Sequence, residues 1–157
     1  MRKLSMLLIT IMIMILILSV VQVAASSPPL EVMFEVPTVI PPGGGPFGTF
    51  TATGPAVDEG LVCPSGDTIA EFEKVNGEQS NKGFNVQVTY VFTCDDGSGQ
   101  FYVKLQVRID QKGDNFNWTI LGGNGDYEKL HGTGKGIGIP VSEEEVFDIY
   151  EGKVHID

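Results

Sequence analysis

The chain has 157 residues, with twenty Asp and Glu against ten Lys and Arg, a formal charge of −10, and only two cysteines. So acidic a surface repels nucleic acid and anionic lipid, which excludes binding to either as a main function. One domain with a real core is affordable at this length, but two are not.

Arg2 and Lys3 precede an apolar run from Leu4 to Val23, and the sequence then reads Val23-Ala24-Ala25-Ser26-Ser27-Pro28-Pro29. A basic start, an apolar stretch and small exit residues describe a secretory signal peptide over residues 1–25, cleaved after Ala25. The run is also near bilayer-spanning length, so an uncleaved anchor is the alternative. No cysteine lies near the exit to take a lipid. Cleavage predicts a secreted or cell-surface protein with no membrane segment in its mature form.

Residues 26–47 hold six of the nine prolines and Gly43-Gly44-Gly45, and are read as a Pro/Gly-rich arm ahead of a domain over 48–157. Leu30–Val36 could make one short strand with Val32 and Phe34 on one side. Pro37–Pro46 cannot supply a regular ladder of backbone donors. Gly48–Thr53 is a strand by composition, ended by Gly54-Pro55. Asp58–Cys63 is undecided and leads to a turn at Cys63-Pro64-Ser65-Gly66. Asp67–Asn76 alternates Ile69, Glu71, Glu73 and Val75 with Thr68, Ala70, Phe72 and Lys74, so neither face is purely apolar.

Two long alternating runs follow. Phe84, Val86, Val88, Tyr90, Phe92 and Cys94 mark one dry face, and Phe101, Val103, Leu105, Val107 and Ile109 mark the next, with Asp95-Asp96-Gly97-Ser98-Gly99 between them. That is a long antiparallel hairpin. A second turn at Lys112-Gly113-Asp114 leads into Phe116–Leu121, with Phe116, Trp118 and Ile120 on one side. Gly132–Ile139 and the tail from Glu145 to Ile156 complete the strand-like segments. Ser142-Glu143-Glu144-Glu145 is either one helical turn capped by Ser142 or a strand flank. Seven or eight strands with short connections make an all-β antiparallel sandwich or barrel. A barrel is preferred because closure removes exposed edges.

Cys63 and Cys94 are expected to pair in an oxidising compartment. The stretch Gly122-Gly123-Asn124-Gly125-Asp126-Tyr127-Glu128 fails as a dinucleotide fingerprint: position 128 is Glu, Asp126 and Glu128 repel pyrophosphate, and no helix follows. Gly122, Gly123, Gly125, Gly132, Gly134 and Gly136 are instead a structural motif. With Gly138, the last three leave one face of a strand without side chains, suited to sharp curvature or close approach. If that face points inward unfilled, it leaves room for a ligand.

The pattern Gly122-Gly123-x-Gly125-x-Tyr127-x-x-Leu130-x-Gly132-x-Gly134, preceded by Trp118-x-Ile120, resembles the glycine motif of the allene oxide cyclase and dirigent-like barrel superfamily. Asn124 replaces the usual Thr. Phe92-x-Cys94-x-Asp96-Gly97-Ser98-Gly99 and Tyr102-x-Lys104-Leu105 resemble the matching hairpin of secreted cyclase-barrel-like proteins. The resemblance implies an eight-stranded, calycin-like barrel with an apolar cavity, no cofactor, and assembly as a dimer or trimer. It carries over no catalytic residue.

Candidate site residues come from the strand faces. Glu71 and Glu73 would be acids or bases if internal, and solvated otherwise. Tyr90 is a core tyrosine or a phenol facing a ligand. Phe92 and Trp118 are candidate ligand-binding rings. Tyr102, Lys104 and Arg108 decorate the wet face. His131 and His155 lack a patterned carboxylate for zinc, and the Asp95–Gly99 turn lacks a calcium loop's terminal glutamate, so no metal is expected. Asn117-Trp118-Thr119 matches a glycosylation sequon, with Asn117 facing out. Three readings stand: a secreted barrel binding a small apolar molecule without chemistry, a cofactor-independent cyclase or isomerase, and a filled barrel serving as a structural or interaction domain.

Overall fold

The computed structural model describes residues 28–80, 83–110 and 113–157; the expected signal peptide lies outside them. The strands are β1 (Leu30–Val39), β2 (Phe47–Thr53), β3 (Ser65–Ser80), β4 (Gly83–Cys94), β5 (Gly99–Asp110), β6 (Gly113–Gly125), β7 (Leu130–Pro140) and β8 (Glu145–Ile156), with one short helix, α1 (Pro55–Asp58). Each strand pairs antiparallel with the next, and β8 pairs back to β1, so the sheet closes as an eight-stranded barrel.

One correction concerns the arm. Leu30–Val39 closes the barrel: Leu30 to Val39 pairs continuously with Val154 to Glu145, and Met33–Glu35 and Thr38–Val39 pair with β2. The domain therefore begins at Leu30. Pro37 is tolerated because the β1–β2 register is interrupted there, between Glu35↔Thr51 and Thr38↔Gly48, where its missing N–H costs no ladder bond. Alternation of Val32, Phe34 and Val36, all buried, holds β1 in place against the core.

The glycine stretch serves bulging and close packing, with its strand bounds shifted. Gly122–Gly125 is the end of β6, and the turn is confined to the residues before Leu130. The β5–β6 register slips between Phe101 and Val103, opposite Gly122, whose φ of 99° suits a bulge. The stripe on β7 does face inward, but it is occupied. A Cβ on Gly134 would strike the Trp118 ring, and one on Gly136 the Phe116 ring. The bare face is where the largest side chains of β6 lie. The Ser142–Glu145 segment is a turn, with Ser142 Oγ accepting from the Glu144 N–H at 3.3 Å.

The two ends of the barrel differ. One is stoppered by α1 and the residues around it, with Ala56, Val62 and Tyr127 buried there. The disulfide between Cys63 and Cys94 ties this stopper to β4 across a separation of 31 residues, Cα to Cα 6.0 Å. The middle of the barrel is filled by aromatic rings. Phe34 stands at the centre, with the rings of Phe50, Phe92, Phe101, Trp118 and Tyr150 at centroid distances between 5.7 and 6.2 Å. At the other end, where β1, β3, β5 and β7 finish and β2, β4, β6 and β8 begin, the described residues leave a mouth.

Candidate functional site

Above the aromatic layer, the open mouth holds a cavity of about 110 Å³. Its walls follow from alternation: Val86, Val88 and Tyr90 from β4, with Leu105 and Val107 from β5, are interior positions of the long hairpin. Polar atoms enter from three other strands, as Thr38 on β1, Asp114 on β6 and Asp148 on β8.

Asp148 occupies the inward register of β8, two residues before buried Tyr150. Gly138 makes room for it. Asp114, Gly138 and Asp148 stand side by side on β6, β7 and β8, and a Cβ on Gly138 would lie 2.9 Å from Asp148 Oδ1 and 3.1 Å from Asp114 Cβ. The two acids thus converge over a single glycine. Thr38 Oγ1 donates to Asp148 Oδ2 at 2.9 Å. Burial lifts the Asp148 pKa from 3.8 to about 6; the Thr38 hydroxyl pulls it down and the Asp114 charge adds to the rise. A carboxyl group near half-protonation at mildly acidic pH can donate or accept a hydrogen bond. Beneath it, the Tyr150 phenol is held well above its usual pKa by burial, with the Asp148 and Tyr90 charges adding to this, and so stays neutral.

The residues singled out from sequence fall in different places. Tyr90 is buried and lines the cavity. Phe92 and Trp118, 0 % and 1 % exposed, lie in the filled aromatic layer below and do not line it. Trp118 Nε1 donates to the Lys135 carbonyl at 3.2 Å, which fixes the ring against the glycine stripe. Glu71 is exposed at a bulge, where the β3–β4 register jumps from Ala70↔Tyr90 to Phe72↔Thr89, and so it is not an internal acid. Glu73 stands across from Val88 in that register, and its side chain lies outside the described residues.

His131 and His155, far apart in sequence, are directly opposed on β7 and β8. Their Nε2 atoms lie 3.3 and 3.4 Å from the two oxygens of Asp157. Among the described residues, no group of three acidic, Cys or His side chains is placed to hold a metal ion. In the Asp95–Gly99 turn, Asp95 accepts from Ser65 Oγ at 2.7 Å and Asp96 accepts from the Ser98 N–H at 2.9 Å. Both carboxylates are thus engaged in shaping the turn.

Sequence reasoning missed Asp148, Asp114 and Thr38. A signal for Asp148 was present: Val146, Asp148, Tyr150 and Val154 share one period-two face, so an acid interrupts an apolar series. Fold and site together define an all-β closed barrel, stoppered at one end and with a cavity among the described residues at the other, able to enclose a small apolar group beside a half-buried acid. No protein-family model matches this chain, and no curated protein matches it.

Proposed function

We propose that this is a secreted barrel protein that binds a small apolar molecule end-on at its open mouth, with the ligand's one polar group held by Asp148 and Thr38. The observation that carries this reading is the half-buried Asp148, bonded to buried Thr38, in a cavity otherwise walled largely by Val, Leu and aromatic side chains. Apolar walls with a few convergent polar groups are the usual composition of a small-molecule site. The size limits the ligand. A cavity of about 110 Å³ accepts a ring or a short chain, and a larger ligand would project from the mouth. Secretion is supported by the leader-like residues 1–25 and by a disulfide, which persists in oxidising compartments. The glycine motif and the closed antiparallel barrel support kinship with allene oxide cyclase and dirigent-like barrels, and with it assembly as a dimer or trimer.

A second reading rests on the same acid. With a pKa lifted to about 6, Asp148 could pass a proton to or from a bound molecule, as a cofactor-independent isomerase or cyclase requires. The filled aromatic layer speaks for the third reading, a structural domain, only below the cavity floor. To test the binding reading, the protein is purified from its native host and analysed by native mass spectrometry. A bound compound of small mass, displaced in a Val88→Phe variant that fills the cavity, is expected. Ligand-free protein from the host, or a compound retained by Val88→Phe, would count against it.

A further inference from the structure

The outer wall of β4 to β8 carries a second concavity, which borders the mouth at Val86, Val107 and Phe116 but is lined mainly by outward residues. Strands of twelve and thirteen residues coil enough to dish the surface, enclosing about 860 Å³. Two cross-strand ladders floor it. In one, Gln87, Gln106 and Asn117 stand side by side on β4, β5 and β6, continued by Lys135 and Glu151 on β7 and β8. In the next, Asn85, Arg108 and Asn115 are continued by Ile137 and Ile149. Five strands at the usual spacing make each ladder about 19 Å long.

Five primary amides gathered in one groove are not needed by the fold, because outward positions of a strand accept any soluble side chain. Elsewhere on this surface, amides are bonded to neighbouring side chains: Asn124 Nδ2 donates to Gln100 Oε1 at 3.2 Å, and Gln100 Nε2 to the Thr93 hydroxyl at 3.1 Å. Among the described residues, the groove amides make no such contacts with one another. Each amide offers both a donor and an acceptor. A polyhydroxylated chain offers both along its length without net charge.

Charge selects in the same direction. A protein with a formal charge of −10 disfavours an anionic polymer, while Lys135 and Arg108 against Glu151 leave the groove itself nearly balanced. Ile137 and Ile149 supply apolar contact for the carbon faces of such a chain. We propose that this groove binds a neutral polysaccharide, lying across β4 to β8 with its hydroxyls on the Gln87–Gln106–Asn117 ladder. The proposal does not rest on the ligand proposed for the mouth.

Affinity electrophoresis tests it. The protein, expressed in a bacterial host that adds no N-glycan, is run in native gels containing hydroxyethylcellulose, laminarin, xylan, dextran or polygalacturonate. Retardation by at least one neutral polysaccharide is expected. It should weaken by about tenfold or more in apparent affinity for the Gln106→Ala/Asn117→Ala variant, which loses two hydrogen-bonding groups. A single Gln87→Ala variant provides a second reading should the double variant lose its thermal transition. No retardation by any neutral polymer overturns the proposal. Retardation by polygalacturonate alone overturns it in favour of an anion-binding surface, and retardation unchanged in folded variants places the contact elsewhere.

Discussion

Replacing Asp148 with Asn isolates the cost of keeping a carboxylate inside the barrel mouth. The native pKa of Asp148 is about 6, against 3.8 for the ordinary group. A carboxyl whose folded pKa is raised binds more protons in the folded state between those values. Stability therefore falls as pH rises from about 4 to about 6, and the loss stays constant above that range. A difference of about two in pKa corresponds to roughly 3 kcal/mol at neutral pH, taken as an upper value. The amide that replaces the carboxyl would keep the volume and still accept from Thr38, but it would give up the charge-assisted part of that bond, about 1 kcal/mol. The net expectation is a gain of about 1 to 2 kcal/mol for Asp148→Asn at about pH 7.5, or several degrees in Tm. At about pH 4, where the native acid is already protonated, the gain should vanish. Thermal unfolding followed by circular dichroism across this pH range measures both. An equal loss of stability at both ends of the range would refute the reasoning, since it would mean that the carboxylate is satisfied and not desolvated.

Other parts of the barrel make their own demands. Gly134→Ala should lose about 1 to 3 kcal/mol in denaturant unfolding, because its new Cβ meets the Glu151 carbonyl oxygen on β8 and the Trp118 ring. Trp118 is the only tryptophan, so its fluorescence reports the displacement directly. Removing the disulfide with Cys63→Ala/Cys94→Ala reopens a loop spanning 31 residues, and should cost about 3 to 4 kcal/mol in the same assay. Thr68 is buried, and its Oγ1 has no partner among the described residues. Thr68→Val should therefore stabilise by about 1 kcal/mol, and a loss instead would show that the hydroxyl is satisfied.

The long hairpin was legible because its alternation runs unbroken over both strands, and Tyr90 was placed correctly on the dry face by the same count. The pairing of Cys63 with Cys94 needed only composition and the expected compartment. A strand over Leu30–Val36 was legible, but it was left in an arm and cut short because Pro37 reads as a strand breaker, and nothing local shows that its missing donor falls at a gap in the β1–β2 ladder. Glu71 was left open between an internal and a solvated acid because neither face of Asp67–Asn76 is purely apolar; it lies exposed, on the same side as exposed Ile69, just as the alternation pairs them. Phe92 and Trp118 carried no local sign of whether the barrel interior was hollow or filled; that was decided by Phe34, Phe50 and Tyr150, contributed by three other strands. The acid pair was less visible still. Asp114 and Asp148 are brought together across Gly138, and only closure of β6, β7 and β8 in register makes them neighbours.

The mouth cavity is most directly tested by a methyl-resolved NMR titration with cyclohexanone, a small ring bearing one acceptor. Binding at the mouth predicts saturable shifts in the methyl groups of Val86, Val88, Leu105 and Val107, which line the cavity, with Val32 and Val154 of the filled interior unmoved. The shifts should weaken as pH rises through about 6 and Asp148 loses the proton it donates. No saturable shift at the four lining residues, or equal shifts in both sets, would contradict an open cavity at the mouth of this barrel.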